Sequence, residues 1–420
     1  MNRLVIIGNG FDLAHGLPTR YEDFINWYWD KRVELLSKEV SNVLKDPLCS
    51  ISAPEGLMWA AIVSNHASFN FRQNTSADII KNISNNRDCE ITYVPFFRNI
   101  LKSVATKGWV DIENEYYNLF KKYALPSSPN PYLEPISQLN EQLFYIQKEL
   151  IKYLREIEHL DVNKIEGIKN AIYAPFNSTD ISVTDAKCFI EHVEKWRQYS
   201  SEELIYRIDS YGLDSAKMLQ NVGAFRREYS ENQPNFPYLY PDAFRLPDSV
   251  MFLNFNYTST AHHYLANHNN CFDNHIHGDI RELDKQDIIF GYGDELDADF
   301  SRLQNLNDNE CLRNVKSIRY LESPNYRNAL AFIESEPFQV YIMGHSCGNS
   351  DRTLLNTIFE HDNCVSIKPY YYLKPDGTDN YIDIIQNISR NFNNRKLMRD
   401  RVVNKTLCEP LPQSRRVHKL

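Results

Sequence analysis

Glycine is scarce in this chain, with 14 among 420 residues, so the places where it gathers carry information. Cysteine is present eight times (Cys49, Cys89, Cys188, Cys271, Cys311, Cys347, Cys364 and Cys408) but never as Cys-x-x-Cys. That spacing nearly excludes a zinc ribbon, and most of these residues are expected to be buried thiols rather than disulfides. No run of about 18 apolar residues occurs, so no membrane-spanning helix is expected. The start, Met-Asn-Arg followed by a short apolar run into Gly8, lacks the longer apolar region and cleavage site of a signal peptide. A cytoplasmic location is therefore expected. Positive charge is not in excess either: 46 Lys and Arg against 55 Asp and Glu give a formal net charge of -9. A surface built to grip nucleic acid by its phosphates is not expected from that balance. No internal repeat and no low-complexity segment stands out.

What is present suits a packed α/β protein of about two or three domains; 42% of residues are hydrophobic and 24% charged. Residues 3–7 (Arg-Leu-Val-Ile-Ile) read as a short buried strand ending at Gly8, and similar runs occupy residues 249–254, 287–290, 338–343 and 365–373. Between the first and second of these the periodicity is helical. Apolar residues three and four apart mark residues 21–36, 109–123, 136–160 and 185–199. In the third of these, Leu139, Leu143, Ile146, Leu150, Tyr153, Leu154 and Ile157 form a stripe that should face a partner helix. The economical organisation is a split domain. A nucleotide-binding core of residues 1–24 and 246–380 holds a parallel sheet, an α-helical insertion spans residues 25–245, and a helix with a basic tail follows over 381–420. Parallel strands joined through helices would gather the loops at their carboxyl ends in one crevice. The tail carries Lys396, Arg399, Arg401, Lys405, Arg415, Arg416 and Lys419, and is expected to be solvated or to meet an acidic partner.

Eight of the fourteen glycines lie in four short places near strand ends. The first holds Gly8, Gly10 and Gly16 and opens on Gly8-Asn9-Gly10-Phe11-Asp12, a Gly-x-Gly turn entering a helix. Such a turn offers N–H groups to a phosphate, although Leu13 occupies the third glycine position of the dinucleotide fingerprint. Asp12 is expected to cap that helix or to contact a ribose or base. Gly278 follows His275-Ile276-His277 and precedes Asp279; a histidine there is a base near neutral pH, and His-x-His is also half of a metal site, with Asp279 and His345 as further ligands. Gly291 and Gly293 form the third place. The fourth, Gly344-His345-Ser346-Cys347-Gly348, matches the nucleophile elbow Gly-x-Ser-x-Gly. Only His361 and His418 follow Ser346, which does not suit the order nucleophile, acid, histidine. Beside these stands Asn254-Phe255-Asn256-Tyr257-Thr258 at a strand end, where period two puts Asn254 and Asn256 on one side. Asparagine is a poor strand residue, so both amides are expected to serve the crevice or to cap backbone.

Taken together, these stretches resemble the AbiH family of phage abortive-infection proteins. The resemblance rests on residues 7–19 (Ile-Gly-Asn-Gly-Phe-Asp-Leu-Ala-His-Gly-Leu-Pro-Thr), Asn254 to Thr258, His275 to Gly278, and Ile289 to Asp294. Gly344-His345-Ser346, Ser350-Asp351 and the stretch 109–113 (Trp-Val-Asp-Ile-Glu) add to it. A deeper similarity is to the sirtuin-like nucleotide-binding fold, through Gly8, Gly10, Gly16 and Pro18, through Asn256 and His277-Gly278, and through Gly344-His345-Ser346. That likeness implies a Rossmann-like parallel sheet of sirtuin type that binds NAD. The four-cysteine zinc site of sirtuin deacetylases is missing, and Thr258 replaces the aspartate that follows their asparagine. Both departures argue against deacylation and leave room for NAD hydrolysis.

The expectation is therefore a defence protein that cleaves the nicotinamide–ribose bond of NAD, with NAD as substrate and no metal. Asn256 and His277 would be catalytic, with His277 the general base, a role worth about 10²–10⁴ in rate. Gly8, Asn9 and Gly10 would hold the pyrophosphate, Asp12 the nicotinamide side, and Gly344 with Ser346 the adenosine ribose. The rival is a non-catalytic nucleotide sensor; a nuclease or a Ser346 hydrolase ranks below it. A phage-derived trigger and a homo-oligomer are the further partners considered, and neither membrane nor nucleic acid is expected. Trp109, Asp111 and Glu113 stand as residues that could reach the crevice.

Overall fold

The computed structural model describes residues 1–38, 41–54, 76–85, 89–107, 110–127, 134–231, 240–266, 269–285 and 287–414. Eight strands lie among them: β1 (Asn2–Ile7), β2 (Val43–Lys45), β3 (Cys49–Ser52), β4 (Glu90–Tyr93), β5 (Val250–Asn254), β6 (Cys271–His275), β7 (Phe338–Met343) and β8 (Cys364–Tyr370). The chain divides into two compact units. One comprises residues 1–17, 160–289 and 317–420, and the other residues 18–159 and 290–316.

The first unit is built on a five-stranded sheet in the order β6-β5-β1-β7-β8, parallel throughout. Counted within the sheet this is 3-2-1-4-5, the order of doubly wound α/β sheets, whose switch point lies between the first and fourth strands. Strands buried on both faces read as largely apolar runs, and β1 and β7 are buried at every position, Asn2, Arg3 and Gln339 included. The pleat divides those runs. Val5, Ile7, Val250, Phe252, Tyr341 and Met343 pack on one face with Ile168, Ile172, Phe189, Val193, Trp196, Leu204 and Ile208. Leu4, Ile6, Met251, Leu253, Val340 and Ile342 pack on the other with Phe332, Ile333, Leu354, Leu355, Ile358, Ile384 and Ile388. Each fully buried aliphatic chain is worth about 1.5–3 kcal/mol, so the two faces fix the register firmly. Arg3 shares the Val5 face. Its guanidinium donates to the carbonyls of Ile172 and Ala174, at the end of the helix Glu166–Ile172, between the rings of Phe176 and Tyr341.

Several boundaries differ from those expected of the sequence. Residues 160–231 and 240–245, expected in the insertion, pack against β1 and β5 as one helical layer of the sheet unit, because their apolar stripes match its exposed face. A strand end was expected near Gly278, but β6 itself was given no range: Cys-Phe-Asp-Asn-His at a sheet edge lacks an apolar signature. Residues 287–290, expected as a strand, pair with no strand. Ile288, Ile289 and Phe290 are buried, Ile289 N–H donates to the His277 carbonyl, and the Ile289 carbonyl accepts from Tyr257 OH. The stretch over 395–414, expected as a basic tail, is folded against β8. Val402 and Pro410 bridge to Ile367 and Tyr371, buried Arg401 donates to the Phe359 carbonyl, and Lys405 pairs with Asp379. An edge strand is thereby covered. Arg415, Arg416 and Lys419 lie outside the described residues.

The second unit holds the helices Tyr21–Lys38, Ser76–Ser84, Pro95–Lys107, Ile112–Ala124 and Ile136–Glu158, and an antiparallel sheet in the order β2-β3-β4. That sheet was not expected, since strands of three or four residues are too short to show a period. The stripe on Ile136–Glu158 is buried as its spacing requires. No helix among the described residues is long and apolar enough to cross a membrane.

Candidate functional site

β1, β5, β6 and β7 run parallel, so the segments leaving their carboxyl ends are neighbours. Gly8 to Asp12 follow β1, Phe255 to Thr258 follow β5, His277 to Asp279 follow β6, and Gly344 to Asp351 follow β7. The Gly8 and Gly344 loops lie backbone on backbone. Gly8 N–H donates to Met343 O at 3.2 Å, and Gly10 N–H to Gly344 O at 2.8 Å. Gly344 has φ +77, and a Cβ on it would fall 2.1 Å from Phe11 N; one on Gly10 would fall 2.8 Å from Gly344 Cα. These glycines therefore serve the contact between two loops. The expected role of the Gly8 and Gly10 N–H groups as phosphate donors is corrected accordingly: both are spent inside the protein. Asn9 and Ser346 are the exposed residues of the two loops.

Asn256 is buried beside the first loop. Its Nδ2 donates to Gly8 O at 3.0 Å, while its backbone N–H donates to Asn254 Oδ1 at 3.0 Å, the local turn that a side-chain amide supports at a strand end. Asn254 and Asn256 thus divide the work expected of them: the former caps backbone and the latter reaches the loop. Asp12 does not cap its helix. It is 2% exposed and accepts from Thr258 Oγ1 at 2.6 Å, which joins the first helix to the turn after β5.

The two histidines of His-x-His point to different partners. His275 Nδ1 lies 3.1 Å from the Asn256 carbonyl, and its Nε2 lies 3.3 Å from Asp273 and 3.6 Å from Asp279. Burial pulls its pKa down, but the hydrogen bond and charge of Asp273 and the charge of Asp279 outweigh it, and the value is raised. Asp279 is forked by Arg281; burial pushes its carboxyl up, and the Arg281 hydrogen bonds with the charge of His275 hold it below its ordinary value. His277, 3% exposed, turns towards β7. Its Nε2 lies 3.3 Å from Asp351 Oδ1 and 3.3 Å from Tyr320 OH. His345 Nε2 lies 3.6 Å from the other oxygen of the same carboxylate, and Phe255 packs its ring against both imidazoles. Asp351, Tyr320 and Thr258 are neighbours of the site to which sequence reasoning assigned no role. Asp351 carried one signal, a Ser-Asp pair at the start of a helix after a glycine loop.

The elbow Gly344 to Gly348 departs from a hydrolase geometry. The strained residue is Cys347, at φ 55, and not Ser346, whose carbonyl accepts from Asn387. Cys347 is no substitute nucleophile. It is fully buried, and burial first, then the charge of Asp351, pushes its thiol far above the ordinary range. No group of three or more His, Cys, Asp or Glu among the described residues is placed to hold a metal ion.

Within the stretch 109–113, Trp109 lies outside the described residues. Asp111 caps the helix Ile112–Ala124 through Asn114 N–H. Glu113 accepts from Gly291 N–H at 2.9 Å and pairs with Lys316 at 2.9 Å, both in the second unit. Tyr292, between Gly291 and Gly293, stacks on Tyr117 at 3.7 Å. Gly291 is accounted for by packing, since a Cβ on it would fall 2.0 Å from Asn314 O.

No curated protein and no solved structure matches this chain. A family model does, over residues 4–372, which takes in β2 to β8, all of β1 but Asn2 and Arg3, and the loops after β1, β5, β6 and β7. The protein belongs to the family described as Bacteriophage abortive infection AbiH.

Proposed function

We propose that this protein serves abortive infection by hydrolysing the nicotinamide–ribose bond of NAD in a sirtuin-like crevice at the carboxyl ends of β1, β5, β6 and β7. The observation that carries the reading is that Asn256 and His277, leaving β5 and β6, reach the loops after β1 and β7 that flank the switch point, where doubly wound sheets take nucleotides. In this reading Asn256 holds the ribose hydroxyls or orients water, and His277 takes a proton as water meets the anomeric carbon. The exposed residues Asn9 and Ser346 meet the phosphates and the adenosine ribose. Asp12 acts behind the wall, by holding Thr258. Substrate entry requires the amide of Asn256 to leave the Gly8 carbonyl, a net cost of about 1 kcal/mol that ribose hydroxyls offset.

Nicotinamide released from NAD by the purified protein, in the presence of phage-infected cell extract, tests the proposal. Turnover in the wild type and its loss in Asn256→Ala and His277→Ala are expected. Full turnover or full toxicity in both variants would overturn the assignment. A second reading, nucleotide sensing without cleavage, is favoured by one observation: the Gly8, Gly10 and Asn256 donors are already satisfied and the crevice side chains are buried. NAD binding by the wild type with no turnover under any of these conditions would select it.

A further inference from the structure

We propose that Asp351 is a positioning residue that fixes His277 in the tautomer protonated on Nε2, which makes Nδ1 the nitrogen that accepts a proton. Its mechanistic use rests on the reading of His277 as a base, while the tautomer itself does not.

The order of protons starts at His345. Its Nδ1 receives the backbone N–H of Cys347 at 3.0 Å. An amide N–H only donates, so Nδ1 of His345 carries a lone pair, and the neutral ring holds its proton on Nε2. That Nε2–H faces Asp351 Oδ2 at 3.6 Å, and Ser350 Oγ, 3.3 Å away, donates to the same oxygen. A carboxylate is acceptor-only. Oδ1 therefore presents a lone pair to His277 Nε2 at 3.3 Å, and that nitrogen carries the hydrogen. Tyr320 brings its hydroxyl to 3.3 Å from the same nitrogen, with its ring parallel to the imidazole within 9°. Which ring nitrogen of a histidine acts is set by the bond the other one makes. Here one carboxylate makes that choice and ties the loops after β6 and β7 together.

The arrangement gives Asp351→Asn an effect that a space-filling residue would not show. His345 Nε2–H still needs an acceptor, so the asparagine turns its carbonyl oxygen to His345 and its NH₂ to His277. An NH₂ facing Nε2 demands a lone pair there and moves the His277 proton to Nδ1. Where a carboxylate–histidine pair has been dissected, this wrong-tautomer effect costs about 10⁴ in rate with the geometry kept.

The test is long-range ¹⁵N–¹H NMR of the full chain labelled at histidine, with His277 assigned by loss of its signals in His277→Gln. Spectra are taken at a pH where imidazoles are neutral. The expected result is an Nε2–H pattern for His277 in the wild type and an Nδ1–H pattern in Asp351→Asn. An Nδ1–H pattern in the wild type, or an unchanged pattern in a folded Asp351→Asn, would overturn the proposal. If Asp351→Asn does not fold, the wild-type spectrum decides alone. Nicotinamide release reads the other question: an Nε2–H tautomer in a protein that never turns over NAD upholds the positioning role and sinks the base.

Discussion

Gly10 N–H donates to the carbonyl of Gly344 across 2.8 Å, and this bond closes the loop after β1 on the loop after β7. It also explains why glycine is concentrated here: neither position has room for a Cβ. A sequence pattern that suggests phosphate binding is used, in the folded chain, to bring two loops into backbone contact.

Gly344→Ala is expected to destabilise the protein more than an ordinary left-handed glycine replacement, whose cost is about 1–2 kcal/mol. The new methyl would overlap the Phe11 amide, so the two loops must part. Thermal unfolding of Gly344→Ala and Gly10→Ala measures this. A loss no greater than about 1 kcal/mol in either would show that the loops separate freely.

Thr258→Val should cost about 1–3 kcal/mol, because it keeps the shape of the side chain and removes the hydroxyl that Asp12 accepts from inside the core. Denaturant unfolding reads the loss. Asp12→Asn, which can still accept from Thr258 and removes a buried charge, should cost less than Thr258→Val; the reverse order would refute this role of Asp12.

Glu113→Ala should cost about 3–5 kcal/mol, since Lys316 is 1% exposed on its side chain and would lose its counter-charge. The double variant Glu113→Leu with Lys316→Met should recover most of that loss. Failure of the double variant to recover would mean that the Gly291 N–H, which Glu113 also accepts, dominates the site.

His275 is expected to make stability depend on pH. Its folded pKa is raised above its unfolded one, so the stability it contributes is complete below about 6.5 and is lost as pH rises through the folded value. The groups that set this are Asp273 and Asp279 at Nε2, the Asn256 carbonyl at Nδ1, Arg281 on Asp279, and His262, 3.7 Å from Asp273. Unfolding free energies measured from about pH 6 to 9 should fall with pH in the wild type and fall less in His275→Gln. Parallel curves would show that His275 does not set the pH dependence.

The sequence by itself determined the parts whose signal is local. Apolar runs marked β5 and most of β1 and β7, because a strand buried on both faces has little polar side to show, and β8 was marked although Ser366 and Lys368 interrupt its apolar residues. A long stripe at helical spacing marked Ile136–Glu158. Glycine clustering and strand-end asparagines and histidines pointed to the segments that meet. Tertiary structure alone decided β6, a polar edge strand held by pairing with β5, and the short antiparallel sheet of the second unit. It alone assigned residues 160–231 and 240–245 to the main sheet, since an amphipathic stripe does not say which apolar face it will cover. It also decided which donors are spent and which histidine meets which carboxylate. Thr258 reaches Asp12 across 246 positions of sequence, and His277 meets Asp351 on the loop after a different strand. Such pairs are set by which parallel strands become neighbours, and strand order is a property of the whole packed core rather than of any segment within it.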